Sequence, residues 1–349
     1  MADRDDIGKI DREIIGLISR RAELYLQELR QRPEGDPFIV EERSRLFELI
    51  DSCNAGPLGG DIIKRIYTDI MSASMAAVAP VHVAFLGPEG TFTAIAVKEL
   101  FGQSITPMPQ RTIQDVFLQV EADAARYGVV PIENSTEGAV TYTLDEFMQT
   151  SLVIMAEQYV RVTYSLLSRG RDMASIKKIY THPQTLGQCK SWIRANLPYA
   201  EIVSVDSTSR AAEIASQEEG AAAIASGLAG EIYTLNTLAS MIEDSRQNYT
   251  RFFLIGKKSA APTGKDKTSL VCAVKDRPGA LLDLLKPFSE AGINMTRIES
   301  RPDKKKMWEY NFFIDILGHA EDEAVRKALE KVKDETIFLK ILGSYPIGS

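Results

Sequence analysis

Cysteine is scarce in this 349-residue chain: Cys53, Cys189 and Cys272 are odd in number and far apart, which excludes a disulfide framework and fits reduced thiols. Histidine is as scarce and as scattered, at His82, His182 and His319, so nothing has metal-ligand spacing. No apolar run approaches the ~20 residues that cross a bilayer, which argues against a helical membrane protein. The first six residues carry one arginine and lead into no signal-like apolar core, so a cytoplasmic location is expected. Positive charge is in deficit, with 41 Lys and Arg against 48 Asp and Glu and a formal net charge of −7. That balance argues against a general affinity for nucleic acid or anionic membrane. What is present is ordinary: 44% hydrophobic and 26% charged residues describe a soluble globular protein, and the length suits two or three domains.

From Asp5 to about Ala79 the pattern is helical, with Ile7, Ile10, Ile14 and Leu17 at three- and four-residue steps. Arg21 continues that stripe, and Arg32 returns to nearly the same angle three turns later. A charge on an apolar seam is costly unless paired. Two readings stand: a coiled-coil dimerisation arm with solvated arginines, which pattern alone favours, or two guanidinium groups lining a site. A second helix runs from about Val40 to Cys53, and Asn54-Ala-Gly-Pro-Leu-Gly-Gly breaks it from a third carrying Ile63, Ile66, Ile70, Ser74 and Val78.

From His82 the period changes to alternating strands and helices, which predicts a mainly parallel sheet in two lobes. The most informative stretch is Val129-Val-Pro-Ile-Glu-Asn-Ser-Thr-Glu-Gly, an apolar run that ends in Glu133, Asn134 and Ser135. Ligands in open α/β sheets collect beyond the carboxyl ends of strands, so this is a candidate site. Thr91 and Thr93, Gln184 and Thr185, and Ser207-Thr-Ser stand at loop-to-helix junctions, where free N–H groups favour anions. Each is also an ordinary N-cap candidate. Residues 258–268 read as a linker, and the strand and helix order beyond them is β-α-β-β-α-β, the ferredoxin-like arrangement, with its third strand placed at Glu309 to Leu317.

Five ordered motifs, Gly87-Pro-Glu-Gly-Thr-Phe-Thr, Val130-Pro-Ile-Glu-Asn-Ser-Thr-Glu-Gly, Thr181-His-Pro-Gln-Thr-Leu-Gly-Gln-Cys, Ser207-Thr-Ser and Asn248-Tyr-Thr-Arg-Phe, closely resemble the prephenate dehydratase family. Through Gly279-Ala-Leu and Glu299-Ser-Arg-Pro the last block resembles an ACT domain of the phenylalanine-binding kind. The helical block is similar to an AroQ-type chorismate mutase. The resemblance implies a multidomain fold: an all-α AroQ-like domain over residues 1–79, a two-lobed α/β, periplasmic-binding-protein-like dehydratase domain over 80–257, and an α+β ferredoxin-like ACT domain over 269–349. It further implies conversion of chorismate to prephenate and of prephenate to phenylpyruvate, CO₂ and water, feedback inhibition by phenylalanine, and a homodimer or homotetramer.

Loss of CO₂ and water from prephenate restores an aromatic ring, so the resemblance implies no metal or redox cofactor, and the enzyme must supply orientation, partial proton donation to the leaving hydroxyl and an anchor for the remaining carboxylate. By resemblance Thr250 contacts the leaving group, Glu133 is the second candidate acid if buried and protonated, and Asn134 and Gln184 complete the catalytic set. Thr91, Thr93, Ser207 and Ser209 are assigned to substrate positioning. Arg251 either pairs a substrate carboxylate or braces the two lobes. For chorismate, Arg4, Arg21, Glu42 and Ser74 stand at family positions, Arg4 reaching into the neighbouring subunit. Arg32 replaces the usual lysine and Val78 the usual Gln or Glu, which predicts weakened mutase activity, since a lost oxyanion donor costs about 10² to 10³ in rate. Gly279, Ala280, Leu281, Glu299, Ser300, Arg301 and Pro302 are the expected phenylalanine contacts. Two alternatives remain at this level: an arogenate-preferring dehydratase, and a non-catalytic solute-binding module joined to an amino-acid sensor.

Overall fold

The structure is a computed structural model that describes residues 4–31, 38, 40–275, 277–302 and 310–348. The side chain of Arg4, all of Arg32, and Glu309 lie outside the described residues.

The amino-terminal block is three helices: α1 (Arg4–Gln31), α2 (Val40–Cys53) and α3 (Gly60–Ala76). Helix α3 packs along the next domain, where Ser72 Oγ accepts from Ser104 N at 2.9 Å and Asp69 accepts from Gln103 N at 3.1 Å. Phe38 seats on Phe101 with ring centroids 4.5 Å apart, so the block is docked by an aromatic anchor. Helix α1 is different: Ile7, Ile10, Ile14, Leu17 and Leu24 are all exposed.

The two-lobed domain begins with β1 (His82–Leu86), α4 (Phe92–Phe101), β2 (Thr106–Gln110), α5 (Ile113–Glu121), β3 (Tyr127–Asn134), β4 (Gly138–Ala139), α6 (Thr141–Gln149) and β5 (Val153–Arg161). The chain crosses once to form the second lobe. That lobe holds β6 (Ser165–Ser168), β7 (Lys178–Thr181), α7 (Pro183–Gln188), α8 (Lys190–Asn196), β8 (Glu201–Ser204), α9 (Thr208–Ala215), β9 (Ala221–Ala225), α10 (Gly227–Ile232) and β10 (Asn236–Ser240). It then returns through β11 (Tyr249–Gly256). The sheets are mixed rather than mainly parallel, because the returning strand enters antiparallel. The first sheet runs β2-β1-β3-β11-β5, with β11 antiparallel to both neighbours. In the second, ordered β10-β6-β9-β7-β8, the β7 pairings are parallel and the β6 pairings antiparallel.

Strand β3 is buried on both faces: Tyr127 and Val129 pack into one core cluster, Val130 and Ile132 into another. Each such side chain contributes about 1.5–3 kcal/mol on burial, which fixes the strand and therefore the residues at its end.

The carboxy-terminal domain comprises β12 (Asp266–Val274), α11 (Ala280–Glu290), β13 (Met295–Pro302), β14 (Tyr310–Leu317), α12 (Glu323–Glu335) and β15 (Thr336–Pro346), in a sheet ordered β13-β14-β12-β15. The segment expected as a linker, 258–268, is corrected at its end: Asp266, Lys267 and Thr268 are buried strand residues paired with Leu317 and Pro346 among others. Asp266 also holds the preceding turn, accepting from Thr263 N at 2.8 Å and Gly264 N at 3.0 Å.

Candidate active site where the two lobes meet

The register of β3 against β11 places Thr250 opposite Asn134 and Arg251 opposite Glu133. Directly opposed residues share a face of the sheet and sequence neighbours take opposite faces. Asn134 and Thr250 therefore form one pair, joined by Asn134 Nδ2 donating to Thr250 Oγ1 at 2.9 Å. Glu133 and Arg251 form another on the reverse face.

Asn134 is fixed from both ends of its amide. Its Oδ1 accepts from the backbone N–H groups of Thr136 and Glu137 at 3.0 and 3.1 Å and from Thr136 Oγ1 at 2.6 Å. These backbone donors decide which end of the amide is oxygen. Its Nδ2 also donates to Asn248 Oδ1 at 2.8 Å, and Asn248 Nδ2 donates to Gln188 Oε1 at 2.9 Å. Gln188 Nε2 lies 3.5 Å from Thr136 Oγ1, so the chain of amides closes on itself. The ring joins the first lobe to the end of α7 in the second. Because Thr250 accepts from Asn134, its own hydroxyl hydrogen is the one left to donate toward a ligand.

Gln188 and Asn248 were not among the expected residues. Gln184, which was, sits exposed on the first turn of α7, its N–H capped by His182 Nδ1 at 3.3 Å. The glutamine in the ring lies one turn further on. Thr91 and Ser207 act as N-caps of α4 and α9, accepting from Ala94 N and Arg210 N. Thr93 is buried beneath α4. Ser209 is fully buried and donates to the Glu89 carbonyl, while Ser226 Oγ donates to Gly90 O at 2.6 Å. These two hydroxyls latch one lobe to the other. Gly90 must be glycine there: its φ is +87° and a Cβ would lie 3.1 Å from Ser209 Oγ and 3.2 Å from Ala229.

Two expectations are corrected by strand alternation. Glu133 does not face the lobe junction; its side chain is 39% exposed, on the far side of the sheet, 3.1 Å from Arg297 Nε. Arg251 lies on that same reverse face, away from the lobe junction. It donates to Glu157 Oε2 at 2.7 Å, Asp315 Oδ2 at 2.6 Å and the Tyr345 hydroxyl at 3.0 Å, tying the first sheet to the carboxy-terminal domain. Burial opposes the Arg251 charge, but the Tyr345, Asp315 and Glu157 oxygens outweigh it and hold the group above its ordinary range. Arg301 makes a bidentate bond to Asp145 on α6, at 3.0 and 2.8 Å, which turns it toward the two-lobed domain. Of its companions, Gly279 takes a left-handed φ of +82° ahead of α11, Ala280 is buried, and Leu281, Ser300 and Pro302 are exposed. Glu299 is half-buried on β13, an edge strand.

In the helical block Arg21 is half-buried and its Nη1 meets no hydrogen-bond acceptor among the described residues. Ser74 is buried and donates to Ile70 O at 2.8 Å. Glu42 lines a cleft of about 340 Å³ with Tyr25, Glu28, Arg45 and Lys258. Val78 is 51% exposed.

These features define a class: a two-lobed α/β enzyme domain with an amide ring at the lobe junction, carrying a ferredoxin-like domain on the reverse face of its first sheet. Family models match in three consecutive pieces: chorismate mutase type II over residues 3–77, prephenate dehydratase over 83–260 and the ACT domain over 268–334. The bifunctional chorismate mutase/prephenate dehydratase of Aquifex aeolicus (strain VF5) is 44% identical, across 98% of this chain and 96% of its own length. That of Stutzerimonas stutzeri is 41% identical, across 97% and 95%. Among solved structures, a prephenate dehydratase of Arthrobacter aurescens in complex with L-Phe is similar with a TM-score of 0.71 and 38% identity, covering 76% of this chain and 90% of its own. The chain belongs to the bifunctional chorismate mutase/prephenate dehydratase family.

Proposed function

We infer that this cytoplasmic enzyme of phenylalanine biosynthesis dehydrates prephenate at the lobe junction, with Thr250 donating to the departing hydroxyl and Asn134 holding Thr250. The carboxylate on the ring leaves as CO₂, its bonding electrons move into the ring, and hydroxide departs and takes a proton from solvent. A threonine is too weak an acid to give up its proton outright, so its contribution is a hydrogen bond that strengthens as charge develops on the leaving oxygen. Asn134, Asn248 and Gln188 hold that hydroxyl in place without reorganisation, and Thr91 and Ser207 position substrate. The observation that carries the reading is the Asn134 to Thr250 bond, which leaves the threonine hydrogen as the donor. Thr250→Ala should lower the turnover number for phenylpyruvate formation by about 10² to 10³ with unaltered folding. An unchanged turnover number removes Thr250 from the mechanism.

The helical domain rearranges chorismate with Arg21, Glu42 and Ser74, drawn from its three helices, and with Arg4 and Arg32. Exposed Val78 supplies no hydrogen bond, which supports slow turnover. The apolar face of α1 supports a homodimer built on that helix, and the exposed edge of β13 supports pairing of ACT domains around phenylalanine as the inhibitory effector.

A further inference from the structure

We propose that Arg297 of the ACT domain is a positioning residue for the dehydratase site and the link through which phenylalanine acts on it. The proposal rests on the dehydratase reading above and adds the residue that couples its two domains. Glu133 immediately precedes Asn134 on β3, so whatever holds the Glu133 carboxylate from behind sets the backbone that aims Asn134 forward. The group that holds it is Arg297, with Nε 3.1 Å from Glu133 Oε2 and a side chain only 10% exposed. Four residues along β13, on the same face, Arg301 grips Asp145 of α6. Two cations of one strand thus clamp both ends of the segment from Glu133 to Asp145, which contains Asn134 and Thr136 of the amide ring. Between them on that strand lies Glu299, of the expected phenylalanine contacts.

Coupling requires an element with two arrangements. The Asp315 to Arg251 contact lacks that freedom, since it is buried and shared among Glu157, Tyr345 and Ser269. Arg297 has it. Its buried Nε and Nη2 make no hydrogen bond among the described residues, so it meets Glu133 as an ion pair alone, and it borders a cavity of about 270 Å³ lined also by Glu133, Ser135, Tyr159, Arg251, Lys267 and Thr296. A guanidinium with an unsatisfied donor beside free volume can leave Glu133 when β13 shifts. Asn134 then loses its support from behind while the rest of the domain stays closed.

The test compares phenylalanine inhibition of phenylpyruvate formation, and phenylalanine binding by calorimetry, in the full-length protein and in Arg297→Gln. The expected result is phenylalanine binding within about threefold of the parent, with the factor by which saturating phenylalanine lowers the rate reduced at least about tenfold, a loss of coupling of about 1.4 kcal/mol. Arg297→Lys should restore most of the inhibition, which a merely structural role would not predict. Should Arg297→Gln fail to fold, Glu133→Gln breaks the same pair from the other side and is held to the same tenfold criterion. Inhibition curves that superimpose on the parent in either variant overturn the proposal. A parent enzyme that forms no phenylpyruvate, or forms it indifferently to phenylalanine, overturns the dehydratase reading and the proposal with it.

Discussion

The joint between the dehydratase and ACT domains and the long helix of the mutase domain are built on opposite principles. At the buried centre of the joint the charges are answered within one chain: Arg251 by Glu157 and Asp315, Lys267 by both oxygens of Glu157 at 2.8 and 2.9 Å, and Asp315 also by Ser269 at 2.5 Å. Helix α1 pairs charges locally, Lys9 with Asp6 and Arg20 with Glu23, but leaves its apolar face open. Ile7 is 55% and Leu17 63% exposed, and Arg21 keeps a donor without an acceptor among the described residues. A closed contact and an open one in the same chain teach where the protomer ends. The ACT domain packs as one unit with the first lobe of the dehydratase domain, whereas the mutase helix leaves an apolar face open.

The largest effect should come from breaking the closed contact. Removing one partner of a buried charge network leaves the others uncompensated, at about 3–5 kcal/mol. Arg251→Ala should therefore lower the unfolding free energy by that amount in a denaturant titration. A change below about 1 kcal/mol would mean that the network is solvated and the joint looser than its distances indicate.

The open contact should respond in the reverse sense. Ile14→Glu changes an exposed side chain, so protomer stability should move by less than about 0.5 kcal/mol. Self-association is the quantity expected to fail, measured by sedimentation, together with chorismate consumption, because the proposed mutase site takes Arg4 from a second copy. Phenylpyruvate formation should persist. If the variant stays assembled and consumes chorismate at the parent rate, α1 is not the dimer interface.

The same contrast explains what the sequence disclosed. The run into Asn134 was legible because a doubly buried strand ending in polar residues has few other uses, and Thr250 stood in a motif with it. The facing of Glu133 was not legible. It depends on the register of β3 against β11, which shifts between Arg251 and Phe252, and one residue of slip exchanges the two faces. Gln184 and Gln188 lie one turn apart on α7, and only the packed helix shows which reaches Asn248. The partners of Arg251 include Asp315, 64 residues away, beyond any local pattern. The stripe on α1 was plain at once, because an apolar face at helical spacing looks the same whether it is covered by its own chain or by another.

The smallest effect separates the two regions by proton affinity. Cys53, on the mutase helices, is exposed, whereas Cys189 and Cys272 lie in the closed part. Burial pushes both of those thiols from an ordinary 9.0 up to about 12, with Asp244 and Glu243 adding to it for Cys189. Burial likewise pushes the Tyr159 and Tyr164 hydroxyls from 10.0 up to about 12, Glu157 reinforcing the former. In the unfolded chain these groups lose their protons near their ordinary values, whereas the native chain keeps them. The native state therefore binds more protons between roughly pH 9 and pH 12, and stability must fall as pH rises through that window while these groups contribute no slope below it. A thiol reagent at about pH 8 should label Cys53 rapidly and the other two only on unfolding, because the thiolate is the reacting species. Three thiols of equal reactivity, or a denaturation midpoint that stays flat from about pH 8 to about pH 11, would show that the dehydratase and ACT cores admit water as readily as the mutase helices do.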